Sequence, residues 1–413
     1  MQFQVNAAQL QNELDKLATY SDVPSPAVTR IVYSDADLAA RRYVKQLCRD
    51  ARLEVREDAA GNTFARWIGD APGLPAIGTG SHIDAIPNAG MYDGTVGVLG
   101  GLEAIRALQR AGFRPRRSIE LLIFTAEEPT RFGIGCPGSR LLAGLLGESD
   151  GTRLRDSQGR TLDELRTAAG FSGPLSSVAL VPGCYAGFVE LHIEQGPLLE
   201  RAGIPCGIVT HIAAPASLNI TIEGEGGHAG GVLMPGRHDA FCAAAELALA
   251  VEAAAKSTGA IDTVATIGIC EVFPGAVNSI PSRVRLTLDV RDTEAARRDS
   301  VLSSIRKASE SIAENRGVRI QSDLVNSDAP AACDARLIET LSRACEAQGL
   351  SYQRMVSRAY HDSLFMARLA PVAMIFIPCR AGVSHRPDEY ASPRAIANGV
   401  RVLAETLAEL SAG

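Results

Sequence analysis

Three apolar runs each end on histidine or glutamate: PAIGTGSHID (75–84), SIELLIFTAEE (118–128) and GFVELHIEQG (187–196). Short apolar runs set between helical stretches are the pattern of strands in a sheet covered by helices. In open α/β sheets the ligand crevice lies outside the carboxyl ends of the strands, so the polar ends of these runs are predicted to converge on one rim. The sharpest end is TAEEPTRFG, Thr125–Gly133, where Glu127 and Glu128 are neighbours. Two like charges held close raise one carboxyl's pKa unless cations neutralise them. The motif therefore asks for a cation.

The alternation of strands and helices continues to about residue 208. Beyond it the texture changes to a period of two, as in Leu218-Asn219-Ile220-Thr221-Ile222 and Val284-Arg285-Leu286-Thr287-Leu288-Asp289-Val290. Such strands have one wet face. With an Ala-rich helix near 237–257, a charged helix near 293–316 and a last strand near 318–320, the order is strand, helix, strand, strand, helix, strand, the pattern of a ferredoxin-like α+β module. The helical stretch 334–348 and the apolar run Val372 to Ile377 then restore the first texture. The expected architecture is an α/β domain from residues 1–208 plus 329–413, its sheet mixed and largely parallel, with residues 209–328 inserted.

At 413 residues and 46% apolar, the chain is long enough for two packed domains. A net charge of -6 without any Lys/Arg block excludes the electrostatic footprint of a nucleic-acid or membrane-surface protein, which leaves a small molecule as partner. The N-terminal residues 1–22 read as a polar amphipathic helix carrying Glu13 and Asp15, without the basic start and apolar stretch of a secretory signal. No run of about 18 apolar residues occurs, so the chain is expected in the cytosol. Nine cysteines stand singly, with no short paired spacing, as small apolar residues of a reducing compartment do. Cys136 and Cys379 lie near the motifs above, but no nucleophile motif surrounds them.

Of seven histidines, three fall at strand ends or in adjoining loops: His82 in GSHID, His192 in ELHIEQG and His385 in VSHRPDEY. With Asp93 of MYDG and Glu128 they make a ligand inventory for two divalent metals sharing a bridging carboxylate. Glu128 as a ligand would leave Glu127 free to act on water. Each residue has a plainer reading. His82 and Asp84 could be a loop pair, although a carboxylate beside a histidine also orients a metal-bound imidazole. Asp93 before Gly94 is ordinary turn chemistry ahead of a helix opening at Thr95. Glu127 and Glu128 could be a solvated helix start, and His192 and His385 satisfied polar residues. The weight lies in the combination.

The inserted segment offers His228 in GEGGHAGG, Asn278 in GAVNSIP and Arg291 in DVRDT. His228 reads equally as a tip reaching a ligand or as an exposed hairpin residue. Arg291 could pair with Asp289 or Asp292, or grip a carboxylate with its guanidinium fork. His211 and His238 have no such setting.

Taken in order, GSHIDAIPNAGMYDG, FTAEEPTRFG, ELHIEQGP, GGHAG, NSIPS, RDT and SHRPDEY resemble the di-metal M20 peptidase-like amidohydrolases, in the branch of N-carbamoyl-L-amino-acid, allantoate and ureidoglycolate amidohydrolases. The resemblance covers nearly the whole chain. It implies two divalent ions per subunit, Mn²⁺ first among Zn²⁺, Co²⁺ and Ni²⁺, and an inserted lid domain that dimerises. Carried over by position, His82 and His192 hold one metal, Glu128 and His385 the other, and Asp93 bridges them. Glu127 is then the general base, and Gln195, His228, Asn278 and Arg291 contact substrate, with His228 reaching the partner subunit's site. Relatives with peptidase activity carry an acid at the position of His192, so histidine there points to carbamoyl cleavage. Residues 358–363, Arg-Ala-Tyr-His-Asp-Ser, are similar to ureidoglycolate amidohydrolases, which adds Tyr360 and His361 to the implied substrate contacts. Tyr360 offers a hydroxyl to a small polar ureido substrate carrying a carboxylate.

Overall fold

The computed structural model describes residues 3–413. It divides into two compact units, one of Met1–Thr210, Ala332–Ser357 and His361–Gly413, the other of His211–Ala331 with Arg358–Tyr360. The short segment Arg358–Tyr360 thus groups with the middle of the chain, where the texture of the sequence did not put it. Two polar contacts hold it there: Arg358 Nη2 donates to Asp262 Oδ1 at 2.6 Å, and Tyr360 lies under the Arg291 guanidinium.

The first unit is built on a mixed sheet whose order is Cys206–Ile212, Val372–Ile377, Tyr185–Ile193, Ala76–His82, Ile119–Phe124, Thr63–Trp67, Glu54–Glu57, with Tyr352–Ser357 beside the first of these. The four strands in its middle, Val372–Ile377 to Ile119–Phe124, run parallel, and the flanking pairs are antiparallel. Ile119–Phe124, Ala76–His82 and Val372–Ile377 are buried throughout, which is why their sequences are apolar runs and not alternating ones. Helices Thr95–Arg110 and Pro393–Ala412 pack on this sheet and on each other. The N-terminal helix is Ala7–Ala18; Met1 and Gln2 of the stretch read as amphipathic lie outside the described residues. Its Glu13 is buried, not on a wet face, because Arg106 meets both carboxylate oxygens at 2.9 and 2.8 Å.

The second unit is ferredoxin-like. Its antiparallel sheet has the order Val264–Phe273, Arg283–Asp292, Ala214–Glu223, Arg319–Ser327. Helices Ala240–Ser257 and Ala295–Arg316 cover one face, over a core of Ile220, Ile222, Leu247, Val284, Leu286, Leu288, Val290, Val301 and Ile305. Arg319–Ser327 is longer than the expected strand at 318–320. It is an edge strand and mostly exposed, so its residues lack the apolar alternation that would have marked its length. Among the described residues, no helix is long and apolar enough to cross a membrane.

Candidate metal centre

Each of the four parallel strands delivers a residue to the same rim. His82 ends its strand and His192 is the penultimate residue of its own. The register Thr79↔Val189 carried three residues forward sets these two histidines side by side, and their rings stack with centroids 6.1 Å apart. Glu127 and Glu128 follow Ile119–Phe124 in a buried irregular turn, 7% and 5% exposed, so they are not a solvated helix start. His385 lies in the loop after Val372–Ile377 and is the outlying member, with a side chain 46% exposed.

Asp93 is the hub. Its Oδ1 lies 3.2 Å from His192 Nε2 and 3.5 Å from His82 Nε2. Its Oδ2 lies 3.3 Å from His385 Nε2, which is itself 3.3 Å from Glu128 Oε1. Good N–H···O hydrogen bonds are 2.7–3.2 Å long, whereas a tetrahedral ion with ligands about 2.1 Å away holds them about 3.4 Å apart. The potential ligand atoms thus fall into two groups that could each hold a metal ion, one on each oxygen of Asp93. Tautomers fit the same use. His82 Nδ1 is 3.0 Å from the Asp84 carbonyl oxygen and His192 Nδ1 is 2.9 Å from that of Ile193. A carbonyl only accepts, so both Nδ1 atoms carry a proton, which leaves Nε2 as the ring nitrogen that would face a metal ion on losing its own proton.

The supporting contacts differ in one respect from what the sequence suggests. Asp84 orients His82 through its main-chain oxygen. Its carboxylate, 3.6 Å from His82 Nδ1, instead accepts the backbone N–H groups of Glu127 and Glu128 at 3.2 and 3.1 Å. It thereby ties the acidic turn to the strand that carries His82. Gly94 has φ +66°, and a Cβ there would fall 2.4 Å from His82 Nε2, so only glycine lets the Asp93 turn approach the imidazole. Ala126, Cys136, Gln195 and His385 all adopt positive φ without being glycine. Left-handed non-glycine residues cost of order 1–3 kcal/mol each and gather where function requires a geometry.

The electrostatics lean toward cations. Burial alone would lower the His82 pKa, but Glu127, Asp84 and Asp93 hold it well above the ordinary imidazole range. The Asp93 and Glu128 carboxylates beside it hold His385 at about 11. Burial would raise Asp93, yet contacts with His192, His385 and His82 carry it well below the usual carboxylate range. Burial pushes Glu127 well up against the pull of His82, with like charge from Glu128 a smaller contribution. The raised carboxyl expected from the paired acids is thus present, with burial as its larger cause.

Gln195 Nε2 donates to Asp93 Oδ2 at 2.6 Å, and His361, 1% exposed, packs its ring 4.5 Å from that of His192. Glu190, His192 and His361 form a third cluster of possible ligands. The Glu190 carboxylate is occupied there by Ser81 Oγ, Ser363 N and Ser363 Oγ, a hydrogen-bonded network beneath the rim. Burial pushes the Cys136 thiol well up and Cys379 to about 11, so neither is poised as a nucleophile. In the second unit His228 is exposed, but not on a hairpin. Its partner strand is Ser279–Ile280, with His228 opposite Ser279, and Ala229 N donates to Asn278 O at 2.9 Å. His228 and Asn278 are thereby neighbours. Arg291 donates to Asp289 Oδ1 at 2.7 Å while its guanidinium lies 5.5 Å from the centre of the Tyr360 ring.

A largely parallel sheet with this donor set at its strand ends is the frame of a hydrolase, and with residues 78–409 matching its description the chain belongs to Peptidase family M20/M25/M40. It is 55% identical over 414 residues to the ureidoglycolate hydrolase of Arabidopsis thaliana, spanning 98% of this chain and 87% of that one. The crystal structure of AtUAH in complex with (S)-hydroxyglycine matches with a TM-score of 0.93 at 54% identity and 99% coverage of both chains, as does its glyoxylate complex. At 38% identity the chain is also similar to the N-carbamoyl-L-amino acid amidohydrolase of Geobacillus stearothermophilus, over 99% of this chain and 100% of the relative.

Proposed function

We propose that this protein hydrolyses the ureido C–N bond of (S)-ureidoglycolate, leading to glyoxylate, ammonia and carbon dioxide. The observation that carries the hydrolytic site is Asp93, whose two oxygens face two separate donor pairs. Similarity over nearly the full length to a ureidoglycolate hydrolase supports the substrate. So does chemistry: removing the carbamoyl group of ureidoglycolate leaves hydroxyglycine, which loses ammonia to become glyoxylate, and these are the two ligands of the AtUAH complexes.

His82, His192 and Asp93 would hold one divalent ion and Glu128, His385 and Asp93 a second, Mn²⁺ in preference to Zn²⁺, Co²⁺ or Ni²⁺. When bound, such ions supply Lewis acidity for the carbonyl oxygen and acidify water. Glu127 takes a proton from the attacking water and delivers it to the leaving nitrogen, which its raised affinity for protons favours. Arg291 and Asn278 hold the substrate carboxylate, Tyr360 stacks on Arg291 and narrows the pocket, and His228 stabilises the developing oxyanion. Gln195 and His361 complete the surroundings of Asp93 and His192. The protein works in the cytosol as a homodimer joined through the inserted unit, with His228 acting in the partner's site.

Comparing kcat/KM by ammonia release on ureidoglycolate, allantoate and N-carbamoyl amino acids tests the substrate. Ureidoglycolate should lead; a higher value on another would move the assignment to that relative's reaction. Binding of all three without release would indicate a ureide-binding protein. For the dimer, inactive Glu127→Gln and His228→Ala proteins are mixed under subunit exchange. Mixed dimers should regain one working site each, and no recovery despite demonstrated exchange would place His228 in its own chain's site.

A further inference from the structure

The bridging position of Asp93 depends on how its carboxylate is turned, because a rotation would move either oxygen off its donor pair. Two residues of SHRPDEY with no role assigned from the sequence, Ser384 and Glu389, contact that carboxylate and the backbone of its turn. Glu389 is 4% exposed, and its Oε1 accepts the backbone N–H groups of Tyr92 and Asp93 at 2.8 and 3.0 Å. Its Oε2 lies 2.9 Å from Ser384 Oγ, and the same hydroxyl is 2.8 Å from Asp93 Oδ2. The contact is close packed: a Cβ on Gly90 would fall 2.3 Å from Glu389 Cβ. Ser384 and Glu389 belong to the loop that carries His385 at φ +59°. The Ser384 hydroxyl, within reach of both carboxylates and donating its one proton to either, together with Glu389 on the backbone, links the Asp93 turn and its carboxylate to the loop of the outlying imidazole across 296 residues of chain.

We infer that Glu389 and Ser384 are positioning residues, a clamp that sets the rotation of Asp93 and ties it to the His385 loop so that both cation positions form together. Gln195 alone, donating to the same Oδ2, would leave the backbone N–H groups of Tyr92 and Asp93 without the acceptor that Glu389 provides. The inference rests on the metal-centre reading above. Partners of metal ligands typically change metal affinity or activity by about 10–100-fold when removed.

The test strips the full-length protein with chelator and titrates Mn²⁺ against a chromophoric competitor, with bound metal counted by plasma mass spectrometry. Glu389→Ala should weaken Mn²⁺ binding by about 10–100-fold, and Ser384→Ala in the same direction by about tenfold. Glu389→Gln keeps an acceptor for the two N–H groups and should restore most of the affinity. At saturating Mn²⁺ the Ala variants should lose kcat with KM nearly unchanged. His385→Ala is the control: full metal content in that variant would sink the metal-centre reading itself. A metal loss in His385→Ala, with Ser384→Ala and Glu389→Ala both within about threefold of wild type, would overturn the clamp alone. If Glu389→Ala does not fold, unchanged affinity in Ser384→Ala overturns it equally, as would a Glu389→Gln variant no better than Glu389→Ala.

Discussion

The two units treat their functional candidates in opposite ways. In the first, His82, Asp93, Glu127, Glu128 and His192 are all less than a tenth exposed, and their orientations are tied by main-chain contacts and neighbouring side chains. In the second, His228 is exposed on a two-residue ladder with the exposed Asn278 just outside it, and Arg291 is half-buried and already bonded to Asp289. Buried ionisable groups are costly unless paired or bound to ions, so the first set must be preorganised. The difference separates candidates held in fixed orientations by burial from candidates left open to solvent.

Removing the hub should have the largest effect. Asp93→Ala should lose both cations by plasma mass spectrometry and bring ammonia release to the buffer rate; a variant retaining two tightly bound ions would show that Asp93 is no bridge. Next, Glu127→Gln should keep its metal but lose turnover by about 10²–10⁴-fold, the range for general-base removal. Near-normal kcat in the metal-replete protein would take Glu127 out of that role. In the second unit, Arg291→Ala removes a charge-assisted contact of about 1.5–3 kcal/mol, so kcat/KM should drop by roughly 10–150-fold, chiefly through KM. A pure kcat effect would blur the division between the units. The smallest change is expected at Val277, fully exposed beside Asn278, where Val277→Ser should shift unfolding free energy by less than about 0.5 kcal/mol. A larger loss in denaturant melts would mean that this tip is covered in the working assembly.

The legible part of the site was the part written in strand ends. His82, Glu128 and His192 announce themselves because a buried apolar run that stops on an ionisable group carries that group to the rim of the sheet. Asp93 stood out only in combination and by resemblance: alone before Gly94 it looks like ordinary turn chemistry, and the fold adds the distances to the three imidazoles around it. Gln195 and His361 could be picked out by resemblance, but their contacts with Asp93 and with His192 could not. Glu389 lies inside SHRPDEY yet received no role, since a glutamate in a polar loop is indistinguishable from a solvated one until the backbone it serves is brought beside it.

Sequence by itself determined the parallel run of strands, the ferredoxin-like insertion and the chemical kinds of ligand present, because side-chain periodicity and apolar run length are local properties. Tertiary structure alone decided that Asp93 offers one oxygen to each donor pair, that Asp84 acts through its main chain on His82 and through its carboxylate on the acidic turn, and that Arg358–Tyr360 joins the second unit. Those outcomes depend on the rotation and distance of groups far apart in the chain, and such distances exist only once the sheet has closed its register.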